Sequence, residues 1–105
     1  MFVKVEKSNA EMYMLDVERL LQINSLSRTS VDLIFNDAST PTTNAVIVIR
    51  LTIVTDTRDE VIKCIHQNIS KTANENKLSF VLWKYNDAAD RCPHITDITV
   101  SKKYK

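Results

Sequence analysis

The sequence predicts a single α+β domain, residues 1–105, with a mostly antiparallel β-sheet and one main amphipathic helix over about residues 58–74. Three observations predict it. Several short runs alternate apolar and polar residues or are rich in Val and Ile, the pattern of strands. One stretch carries a helix start signal followed by apolar residues at helical spacing. The chain is 105 residues long with 44% hydrophobic and 26% charged residues, the size and composition of one globular unit.

Phe2 to Glu6 and Met12 to Leu15 are β-prone runs joined by the polar Lys7-Ser8-Asn9-Ala10-Glu11, which reads as a hairpin. Asp16 to Ile23 reads as one turn running into a strand. In Ser30 to Asn36, Val31, Leu33 and Phe35 share one face while Asp32 and Asn36 take the other. Asp37 to Asn44 is polar, contains Pro41 and reads as a mobile loop between strands. Ala45 to Thr55 follows as a central strand, with Ile47, Ile49, Leu51 and Ile53 on one face and Val46 and Val48 on the other; Arg50 and Thr52 turn that second face polar further along.

Thr57 stands as N-cap with Glu60 three residues on, a capping box ahead of the helix. At about 100° per residue, Val61, Ile62, Ile65 and Ile69 form one stripe opposite Glu60, Lys63, Gln67 and Lys71. Lys77 to Tyr85 is a strand with apolar residues on both faces, Asn86 to Pro93 a loop, Ile95 to Val100 an edge strand, and Ser101 to Lys105 a frayed basic end.

The chain contains no glycine, against about 7% in an average protein. Phosphate-cradling loops, dinucleotide fingerprints and nucleophile elbows all need a residue without Cβ, so none is present. Turns with positive φ fall to Asn or Asp, with Asn9, Asn24, Asn36, Asp37, Asn44, Asn86 and Asp87 in the expected turn regions. An AT-rich genome accounts for the missing glycines, because glycine codons are GC-rich.

Fourteen basic and 13 acidic side chains give a net charge of +1, which supplies no global field for nucleic acid or anionic lipid. The charged start Met1 to Lys7 does not read as a signal peptide, and no run is long enough to span a bilayer; the expected location is cytoplasmic, with no membrane partner.

The order of elements resembles that of the small FlbD-type flagellar family. Leu15-Asp16 leads into a short turn and Ile23, a strand pair follows, and then Thr57-Arg58-Asp59-Glu60-Val61-Ile62. The likeness spans roughly the first 70 residues and rests on apolar spacing. It implies a small β-rich module closed by one helix, with a role in regulation or assembly rather than catalysis. The chain departs from that family in its glycine-free hairpins, its longer Asp37 to Asn44 loop and about 35 further residues. Small phage-encoded proteins share such a layout. No functional residue is carried over.

The two cysteines and two histidines fall as Cys64-Ile65-His66 and Cys92-Pro93-His94, a set that would supply four zinc ligands. Residues i and i+2 of a helix point about 200° apart, so Cys64 and His66 do not face one ion. The expectation is therefore no metal and no cofactor, with Cys64 a small hydrophobe beside the buried stripe and His66 bordering solvent. Two cysteines make no disulfide framework. A cysteine nucleophile lacks an orienting partner and an oxyanion donor, so no catalytic residue is assigned and no enzyme is expected.

Nucleic-acid binding is the alternative reading. Trp83-Lys84-Tyr85 would place aromatic faces beside charge, and Lys102, Lys103 and Lys105 would supply phosphate contacts.

The apolar surface favours the primary reading. Two strands are greasy on both faces, and one helix shields one face of a sheet. Val46, Val48, Val81, Trp83 and Tyr85 would then form a bare patch unless the sheet curls towards a barrel or a second subunit covers it. This predicts a non-enzymatic interaction or assembly module acting as a homo-oligomer, with those five residues at the interface.

Overall fold

The computed structural model describes residues 1–37, 45–85 and 92–104, with the side chains of residues 103 and 104 left aside. Seven strands and one helix follow in the order β1 (Phe2–Glu6), β2 (Met12–Asp16), a 3-10 turn (Val17–Arg19), β3 (Leu20–Ser27), β4 (Ser30–Asn36), β5 (Ala45–Ile53), α1 (Arg58–Asn74), β6 (Ser79–Lys84) and β7 (Ile95–Tyr104).

The strands form two open sheets rather than one sheet curled towards a barrel. The first has the order β2-β1-β6 and the second β3-β4-β5-β7. All pairings are antiparallel except that of β1 with β6. The 3-10 turn divides the sheets. Asp16 Oδ1 accepts a hydrogen bond from the Glu18 N–H at 2.9 Å, redirecting the chain so that β2 and β3 enter different sheets.

That division changes the premise of the bare-face argument, which placed the two greasy strands in one sheet. The two greasy strands, β5 and β6, lie in different sheets, and both sheets share one core with the helix. Val3, Val5, Leu82 and Trp83 of the first sheet join Val31, Leu33, Phe35, Ile49, Leu51 and Ile98 of the second and Val61 and Ile65 of α1. Of the five residues named for that face, Trp83 lies in this core, whereas Val46 and Val48 are buried on the face of β5 opposite Ile49 and Leu51.

The helix occupies the residues expected of it, and Lys63, Gln67 and Lys71 are exposed on its far side. The capping box does not form. Thr57 is the N-cap, but its hydroxyl donates to the Val54 carbonyl at 2.6 Å and makes no bond to the first helical turn. At the other end the Asn76 N–H donates to Ala73 O at 3.1 Å and the Lys77 N–H to Thr72 O at 3.0 Å. With Asn76 at φ 54°, this is a Schellman ending with asparagine in the glycine position.

Asp56, at φ 63°, is the other non-glycine residue with positive φ among the described residues. The residue types match the expectation from a glycine-free chain, whereas the positions differ: both bracket the helix. β7 also differs, because the end read as frayed continues the strand to Tyr104, where Ser101 to Tyr104 pair with Ala45 to Val48. The loop expected over Asp37 to Asn44 lies, beyond Asp37, outside the described residues.

Candidate interaction surface

The β1–β2 hairpin turns through Lys7 to Glu11, where Ser8 Oγ accepts from the N–H groups of Ala10 and Glu11 at 3.2 and 3.1 Å. Strict alternation then sorts the side chains. Val3 and Val5 face the core, opposite Leu15 and Tyr13. Phe2, Lys4 and Glu6 face away from it, opposite Asp16, Met14 and Met12.

This outward face combines an apolar column with a charged one. Phe2, Met12 and Met14 are 39%, 52% and 47% exposed. Beside them Lys4 Nζ stands 3.2 Å from Glu6 Oε1, and Lys84 Nζ, one strand across, 3.6 Å from Glu6 Oε2. The hydrogen bond from Lys4, with the added field of Lys84, holds the Glu6 carboxyl below the ordinary carboxylate value. The Glu6 charge is thus met within the sheet, leaving the methionine column of β2 without a charged neighbour on its own strand until Asp16. Leu78, 80% exposed, adjoins Phe2 through its carbonyl, which accepts the Phe2 N–H at 2.8 Å.

Of the five residues expected at an interface, three are inside the single chain: Val46 is 7%, Val48 5% and Trp83 5% exposed. Val46 and Val48 sit in the second strand from the edge, each flanked by strands on both sides, and Trp83 faces the core opposite Val5. Val81 is half-buried on the outward face, opposite Lys4, and Tyr85 is 43% exposed.

The same burial removes Trp83 as a stacking platform for nucleic acid. Lys84 is directed to Glu6, and Lys102 Nζ lies 2.8 Å from Asp37 Oδ2. The side chains of Lys103 and Lys105 lie outside the described residues.

The cysteines do not meet a metal; they meet each other. Cys64 and Cys92 form a disulfide with Cα atoms 6.0 Å apart across 28 positions of sequence. Asn68 Nδ2, one turn along the helix, donates to the Cys64 carbonyl at 2.9 Å and approaches the two sulfurs at 3.4 and 3.8 Å. His66 is exposed and His94 half-buried. Cys64 as an unpaired small hydrophobe is thereby corrected. Spacing alone did not show the pairing, because it depends on where α1 and the start of β7 meet.

Sequence reasoning missed Met12 and Met14 as surface residues. The alternation that exposes them was legible, but not that β2 would be an edge strand.

No family model, curated protein or solved structure matches the chain, so the resemblance to the FlbD-type family gains no support. The chain defines an α+β module of two open sheets around one helix. No helix among the described residues is long and apolar enough to cross a membrane.

Proposed function

We propose that the chain is a non-enzymatic interaction or assembly module that works by self-association through the outward face and free edge of its three-stranded sheet. The observation that carries this reading is the exposure of Phe2, Met12 and Met14 together on one sheet face. Methionine is the residue best able to repack against a partner surface, and large apolar side chains gathered on one face mark contact sites more often than solvated ones. Single exposed residues elsewhere, such as Leu26, carry no such meaning.

The expected cytoplasmic location is weighed against by the Cys64–Cys92 disulfide, because cytosolic thiol reductants keep such pairs open. Non-reducing preparation is therefore the appropriate condition for any test.

Light scattering coupled to size exclusion tests the reading. The mass should rise above that of one chain as concentration increases through the micromolar range. A mass of one chain throughout would defeat it.

A further inference from the structure

Four strands lie at sheet edges, and they differ in how they resist pairing with another chain. Natural edge strands are blunted by bulges, by lysine or by proline. β3 has irregular register against β4 at two places. β7 carries Lys102 and Lys103 and a register shift against β5. β6 carries Lys84 and a register shift against β1. β2, Met12-Tyr13-Met14-Leu15-Asp16, pairs with β1 in unbroken register and has no lysine, no proline and one charge, at its last residue.

The backbone of β2 is also oriented for pairing. The Phe2 N–H donates to Leu78 O, and Glu6 O accepts from the Tyr85 N–H, so the even residues of β1 direct their backbone groups towards β6. Val3 and Val5 therefore point theirs at β2 and bond Leu15 and Tyr13. The bond from the Val17 N–H to Met1 O continues the same phase. In consequence the N–H and C=O groups of Met12 and Met14, and the N–H of Asp16, point out of the free edge, while the Asp16 C=O opens the 3-10 turn.

We propose that this edge pairs with β2 of a second copy of the chain, antiparallel about a twofold axis at Met14, joining two three-stranded sheets into one of six strands. The proposal rests on the self-association reading above and names its seam. Met14 faces Met14 of the second copy as a hydrogen-bonded pair, and Met12 faces Asp16 of the second copy. Charge supports this register: Asp16 is set against a methionine and never against its own counterpart, so no like charges oppose one another on the seam. Antiparallel pairing about a twofold closes on itself, and the two methionine columns with the two Phe2 side chains form one apolar strip on the outward face.

Three substitutions test the seam. Met14→Glu sets two carboxylates against each other at the axis, and within the chain it stands opposite Lys4, so it adds no like-charge pair to the β1–β2 ladder. It should weaken self-association at least tenfold with an unchanged circular dichroism spectrum. Met14→Cys places two thiols on Cα atoms about 5.5 Å apart, within disulfide reach, whereas Met12→Cys leaves its Cα atoms about 14 Å apart. With oxidised glutathione accepting the electrons, Met14→Cys should yield a covalent dimer and Met12→Cys should not. A wild-type chain that stays monomeric overturns both the module reading and the seam. Self-association that survives Met14→Glu, or covalent dimer from Met12→Cys in place of Met14→Cys, overturns the seam alone.

Discussion

Cys64, in the middle of α1, is bonded to Cys92, three residues before β7 begins, and this pair ties the helix to the strand that completes the second sheet. Cys92 is completely buried in the shared core, so the bond is a staple between layers rather than a surface ornament. Closing a loop across 28 positions removes chain entropy from the unfolded state. On the loop-closure model that is worth about 3 to 4 kcal/mol. Denaturant unfolding with and without dithiothreitol measures it: the reduced chain should unfold at clearly lower denaturant, and Cys64→Ala/Cys92→Ala should behave like the reduced wild type. Equal midpoints in the two conditions would refute the assignment.

Asn76 ends the helix with a left-handed backbone that would be strained for most side chains. Asparagine tolerates this region better than alanine, and glycine better than either. Asn76→Ala should therefore destabilise the chain by about 1 kcal/mol, while Asn76→Gly should leave it unchanged or slightly more stable. Urea midpoints of the three proteins rank them, and alanine tolerated as well as glycine would contradict the Schellman ending.

These two features mark the limit of what was legible in the sequence. Local pattern was enough for α1, because Val61, Ile65 and Ile69 repeat at helical spacing whatever surrounds them. It was also enough for the faces of β4 and β5, where alternation fixes which residues meet the core. Sheet membership was not legible. The split between β2 and β3 depends on three residues, Val17 to Arg19, and on a single hydrogen bond from Glu18 to Asp16. The surface candidates failed for the same reason. Val46, Val48 and Trp83 were correctly read as apolar on strands, but their burial follows from which strands and layers surround them, which no local spacing encodes.

Asp32 and Arg50 stand directly opposite on β4 and β5, with Arg50 Nε 2.8 Å from Oδ1 and Nη2 2.9 Å from Oδ2. The hydrogen bonds from Arg50 satisfy a carboxylate that is 7% exposed, and that carboxylate raises the Arg50 pKa further above its ordinary value. The buried partner dictates the outcome of mutation. Arg50→Met strands the Asp32 carboxylate, so it should lower stability more than the double change Asp32→Leu/Arg50→Met, in which no charge is left behind. Thermal unfolding of both variants decides it; a double variant less stable than the single one would show that the pair does more than neutralise Asp32.

Glu6 gives the outward face a pH dependence of known sign. Its carboxyl titrates below the ordinary 4.5 because Lys4 donates a hydrogen bond to it and Lys84 adds positive charge. In the unfolded chain that carboxyl binds its proton more readily, so over the acid range the unfolded state takes up more protons than the folded one. Stability from this group is present above the ordinary value and is lost as pH falls through the lower folded value. Glu75 acts in the same direction, its carboxyl held low first by the hydrogen bond from Lys77, at 2.9 Å, and further by Lys71. Urea midpoints measured from neutral pH down to about pH 3 should fall less steeply for Glu6→Gln than for wild type, and less steeply again for Glu6→Gln/Glu75→Gln. Identical slopes for all three proteins would show that neither carboxylate is held in its charged form by the fold.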